Sequence, residues 1–209
     1  MTVQAFDPLS YENLGASITR AMDEQPVQSL VGMARFDGAG VYALYYTGGF
    51  APYDKLAQQN RSHPGSWALY VGKAEAETRR KGDPNQTAVL DGPKLFHRIA
   101  HHRASIEKTG NLDPDDFQVR FLVLAPTWVP LAEQVGIRIH RPLWNVVVDG
   151  FGNHDPGSGR KEGTRSRWDT LHPGREWAAK LRPRLESETR INEDIVQHLD
   201  DPEQTLFEL

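Results

Sequence analysis

The chain is 209 residues long, 38% hydrophobic and 25% charged, with a formal net charge of −4 at pH 7. A chain of this size buries roughly 70% of the surface its unfolded form exposes, enough for one domain with appendages and no covalent staples. It has no apolar run near the ~18 residues of a membrane helix, no signal-peptide pattern at its start and no cysteine, which excludes disulfides and thiolate zinc fingers and fits a reducing cytoplasm.

In chain order, Asp7 to about Gln28 reads as a helix, with Leu9, Leu14, Ile18 and Met22 near helical spacing. After the turn Gly38-Ala39-Gly40, the run from Val41 to Tyr46 is strand-forming and Thr47-Gly48-Gly49 ends it. A polar connection with Pro52 and Pro64 leads to a second strand, Trp67 to Val71, stopped at Gly72. Residues 74–93 read as loop or short helix. A helix follows from Lys94 to about Lys108, with Leu95, Ile99, His102 and Ile106 on one stripe. Phe117, Val119, Phe121 and Val123 alternate as in a half-buried strand. Thr127 is placed to cap a helix with Pro130 in its first turn, which runs through Glu133 to about His140 and is stopped by Pro142. The pattern predicts an α/β (α+β) fold: a small central sheet flanked by helices, with an N-terminal helix and a C-terminal extension. It divides into a helical extension over 1–37, a core over 38–150, and a glycine-rich loop with its extension over 151–209.

Charge is unevenly spread. Residues 160–184 carry eight Lys/Arg against three acids, whereas residues 185–209 carry eight acids and only Arg190. A basic run is commonly a solvated face; Trp168 and Trp177 within this one weigh toward nucleic acid.

The chemistry-bearing residues fall into an ordered set. Gly40-Val41-Tyr42 opens the first strand and Tyr70-Val71-Gly72-Lys73 closes the second, the tyrosines standing 28 positions apart. Arg98 and His102 lie four apart on one helix, Glu133 lies early on a later helix, and that helix ends in Arg141-Pro142-Leu143-Trp144-Asn145. Each element has a bland reading: Tyr42 and Tyr70 as core aromatics, Lys73 as a strand-end lysine, Arg98 as a surface arginine with Arg79 or Arg80 as rivals, His102 as a core histidine, and Glu133 as a complement to its helix dipole.

Taken together, these residues resemble the GIY-YIG nuclease superfamily. The continuation Asp149 to Gly157, followed by Ser166 to Gly174, resembles its type II restriction endonuclease branch, which cuts a GC-rich palindrome of the CCGCGG type. The likeness spans roughly residues 38–180, although the tyrosines stand further apart than in the usual hairpin of the family. It implies a GIY-YIG-type antiparallel sheet and a Mg²⁺-dependent deoxyribonuclease, with Mn²⁺ able to substitute. Tyr42 would deprotonate the water, helped by a cation that lowers its pKa, with Lys73 or His102 placed to do so. Tyr70 would hydrogen-bond the phosphate or the water, Arg98 would hold phosphate oxygens, Glu133 would bind one metal ion, and Asn145 would fix the end of the site. Arg160, Lys161, Arg165 and Arg167 are the candidates for DNA contact, since arginine reads guanine edges. A palindrome implies a homodimer on double-stranded DNA, with a cognate DNA methyltransferase as genetic partner. Two other readings stand beside this: a repair or homing nuclease, and an inactive DNA-binding module on the same scaffold. Asn153, His154 and Asp155 with Asp149 and His172 form a rival metal cluster.

Overall fold

The structure, a computed structural model, describes residues 7, 10–75, 92–155, 157 and 163–201. Its centre is a four-stranded antiparallel sheet in the order β1-β4-β2-β3, formed by β1 (Gln28–Ser29), β2 (Gly40–Tyr46), β3 (Tyr70–Ala74) and β4 (Phe117–Val123). β2 lacks a charged residue and is buried throughout, because strands flank it and helices cover both its faces. Its alternation sorts two cores. Val41, Ala43 and Tyr45 pack with Met22, Val129 and Ala132, from α1 (Tyr11–Asp23) and α4 (Val129–His140). Tyr42, Leu44 and Tyr46 face the other way, toward Leu95, Ile99 and Ile106 of α3 (Lys94–Glu107) and toward Trp144, Phe151 and Trp168.

The stripe read from the sequence of α3 is the buried face of that helix: Leu95, Ile99, His102 and Ile106 are all fully buried. Other expectations shift. The first helix begins only at Tyr11, where the Ser10 side chain accepts a hydrogen bond from the Asn13 amide, and it ends at Asp23. Thr127 caps nothing; it lies in a 3-10 turn ahead of α4, whose N-cap position is Trp128. The connection between β2 and β3 contains a helix, α2 (Asp54–Ser62). Only Leu56, Ala57 and Asn60 of α2 are buried, a stripe too thin to read from sequence. This helix fills the long interval between Tyr42 and Tyr70, so β2 and β3 still pair directly.

β3 lies later than expected and runs through Gly72, which pairs with Tyr42. A Cβ at Gly72 would lie 2.4 Å from the Tyr42 hydroxyl oxygen, so the glycine marks a close approach to the ring and does not end the strand. β3 is also a sheet edge. Its free backbone is covered by α5 (Leu143–Val146): the Trp144 amide donates to the Leu69 carbonyl at 2.8 Å, and the Asn145 side chain takes both polar groups of Val71, at 2.8 and 2.9 Å.

The C-terminal extension packs into the same core through Phe151 and Trp168. It continues through α6 (Arg167–Leu171), α7 (Glu176–Ala179) and α8 (Glu188–Asp200), the last contributing Ile191, Ile195 and Leu199 to the core. Among the described residues, no helix is long and apolar enough to cross a membrane.

Candidate active site

Tyr42 and His102 are 60 positions apart in sequence and 2.5 Å apart at Tyr42 Oη and His102 Nε2. Both side chains are fully buried. The imidazole stacks on the Phe151 ring with centroids 4.4 Å apart, and Tyr70 closes the group with its ring 6.1 Å from Tyr42 and 5.3 Å from His102. Burial pushes the Tyr42 hydroxyl well above its ordinary pKa; Tyr70 adds to the rise and Arg98 opposes it. Burial, then the charges of Arg98, His101, His154 and Arg175, hold His102 well below its ordinary value, so its ring is neutral at neutral pH. Among the described residues His102 Nδ1 has no hydrogen-bond partner, and Tyr42 is the polar contact that orients the ring.

The cation facing the tyrosines is Arg98 rather than Lys73 or His102. Its charge acts to lower both pKa values, although burial still leaves the Tyr70 hydroxyl above its ordinary value. Arg98 also donates to His154 Nε2 at 2.6 Å and to the Gly152 carbonyl at 3.2 Å. Lys73 is committed elsewhere. Its ammonium lies 2.8 Å from Glu75 and 3.2 Å from Glu133, and the Glu75 hydrogen bond leads the effects that raise its pKa. It stays charged, but beside carboxylates.

Glu133 rises from α4 on the opposite face of the sheet and reaches the β3 edge, where its charge is felt at Tyr70. No group of three or more His, Cys, Asp or Glu that could hold a metal occurs among the described residues. A single partly exposed carboxylate is a donor set that suits Mg²⁺, which keeps several waters and completes its shell with substrate phosphate. The rival cluster is dispersed. His172 is buried against Tyr53 at 2.7 Å and Asn111 at 3.1 Å, His154 serves Arg98, and Asp149 and Asp155 accept backbone amides.

The basic run is built differently from a solvated face. Arg175 is 3% exposed, with the rings of Trp168 and Trp177 at 4.5 and 4.7 Å, so these tryptophans sandwich a structural arginine. Sequence reasoning missed Arg175; a cation between two tryptophans was the available signal. Arg165 donates to the carbonyls of Ala178 and Ala179 at 3.1 and 2.9 Å. Arg167 pairs with Glu186 and, at 2.7 Å, with Asp194 of α8. Arg160, Lys161, Arg79 and Arg80 lie outside the described residues.

A buried and a half-buried tyrosine hydroxyl beside a guanidinium, with a carboxylate at the same sheet edge, suit a phosphate group, and the antiparallel sheet between its helices has the GIY-YIG arrangement of a nuclease. The sequence matches the Eco29kI GIY-YIG domain over residues 34–199, and the chain belongs to that family, which is one of restriction endonucleases. No curated protein matches the chain.

Proposed function

We propose that this chain is a type II restriction endonuclease that hydrolyses double-stranded DNA at a short GC-rich palindrome. In this reading it acts in the cytoplasm as a homodimer with one active site per strand, and a cognate methyltransferase protects the host DNA. The observation that carries the mechanism is the 2.5 Å contact between Tyr42 and a neutral, buried His102. Burial disfavours a standing phenolate, so proton relay replaces prior ionisation. As the water attacks phosphorus, its proton passes to Tyr42 Oη while the Tyr42 proton passes to His102 Nε2. Arg98 places its donors on the non-bridging oxygens and balances the charge that grows there. Tyr70, on the neighbouring strand, orients the water or the phosphate. Glu133 would hold one Mg²⁺, or Mn²⁺ in its place, and the bound ion would stabilise charge on the departing 3′ oxygen. Asn145 keeps the Tyr70-Val71-Gly72 edge in register through its two bonds to Val71.

The test is plasmid cleavage with Mg²⁺ by wild type beside Glu133→Ala. Discrete fragments from wild type that disappear in the variant support restriction. Random nicking points to a repair or homing type of nuclease, and a chain that cuts under no metal or salt condition is not an enzyme of this kind.

A further inference from the structure

The loop between α5 and α6 lies between two arginines. Arg175 is buried in an ion pair with Asp169 at 2.7 Å, and Asp169 in turn accepts from the Ser166 hydroxyl at 2.6 Å. Its remaining donors reach the carbonyls of Gly150 at 2.9 Å and of Phe151 and Asn153, each at 3.1 Å. The one carbonyl left in this stretch, that of Gly152, points to Arg98. His154 follows directly and accepts from the same guanidinium. Gly150 has φ +104, and a Cβ there would lie 2.1 Å from Ser166, so the backbone passes where only glycine fits.

We propose that His154 is a positioning residue for Arg98, and that the loop from Gly150 to His154, clamped by Arg175, aims the Arg98 guanidinium at the two tyrosines; this rests on the nuclease reading above. An arginine is always a donor, so His154 Nε2 must accept and the ring must be neutral with its proton on Nδ1. The surroundings favour that form, since partial burial and then the charges of Arg98 and Arg175 lower the His154 pKa. The His101 ring, 4.9 Å away, adds no anion that would reverse this. A free arginine on a helix face samples many rotamers. With one fork nitrogen on His154 and the other on Gly152, Arg98 reaches the phosphate already oriented, and orientation of this kind is where a 1 Å error costs about 10²-fold in rate.

His154 is exposed, so its variants leave the core untouched. Single-turnover cleavage and DNA affinity are measured for wild type, His154→Ala and His154→Gln, alone and combined with Arg98→Ala. His154→Ala should cut about 10²-fold more slowly with DNA affinity unchanged. His154→Gln, whose amide oxygen also accepts, should recover most of the rate, and His154→Ala should do nothing further in the Arg98→Ala background. Alanine and glutamine variants that behave alike overturn the proposal. So does His154→Ala binding or cutting better than wild type, which would make His154 a competitor of the phosphate. The Arg98 Nε–Hε NMR signal reads the positioning without turnover: it should broaden in the alanine variant and stay sharp in the glutamine one. A wild type that cuts no DNA would sink the nuclease reading, whereas an Arg98 signal indifferent to His154 would sink this one.

Discussion

Replacing Tyr42 by phenylalanine removes one oxygen and leaves a fully buried ring in place. The loss falls first on His102, whose Nδ1 has no partner among the described residues and whose Nε2 contact at 2.5 Å would vanish. A buried imidazole without a hydrogen bond costs about 1–3 kcal/mol, or a Tm lower by roughly 2–12 °C at about 2–4 °C per kcal/mol for a chain of this size. Catalysis loses more, because a positioned acid–base group contributes about 10²–10⁴-fold. Single-turnover cleavage should fall by that factor while DNA affinity holds. The double variant Tyr42→Phe with His102→Leu separates the two effects: removing both polar partners should restore much of the stability and none of the cleavage. Wild-type cleavage by Tyr42→Phe would refute the relay and make Tyr42 a core residue only.

Gly72→Ala should abolish cleavage with little change in overall content of helix and strand, because the new methyl would lie 2.4 Å from the Tyr42 oxygen and 2.7 Å from the Tyr70 ring and must push both aside; circular dichroism beside the plasmid assay checks it. Acid should weaken the fold through His172, which burial depresses to about 3. The unfolded chain takes that proton first, near pH 6.5, so stability present above this value is lost as pH falls toward 3. From pH 7.5 to 5 the share of His172 is about 2 kcal/mol, at 1.36 kcal/mol per unit. Urea unfolding of wild type and His172→Gln at both pH values should differ by that amount, and equal pH slopes would contradict a neutral buried ring.

The C-terminal extension is more than an appendage to the nuclease sheet. Phe151 forms one wall of the His102 pocket, the Gly152 carbonyl and His154 hold Arg98, and Arg167 ties α6 to α8 through Glu186 and Asp194. Losing this extension would open the site from behind.

What the amino-acid sequence determined by itself is the set of locally periodic elements. The α3 stripe, the alternation of β4 and the apolar run of β2 were legible because helix and strand periods repeat within a few residues. The family pattern was legible too, through the ordered tyrosines, Arg98, Glu133 and the Trp144-Asn145 pair. Tertiary structure alone decided which of these residues meet. Tyr42 reaches His102 across 60 positions and Arg98 reaches His154 across 56, distances at which no local period carries information. It also decided that Gly72 continues a strand, because the space its missing side chain leaves is occupied by Tyr42 from the neighbouring strand. Arg175 shows the same limit. In the chain it is one cation of a basic run; in the fold, burial and four carbonyl and carboxylate partners make it the clamp behind the loop that touches Arg98.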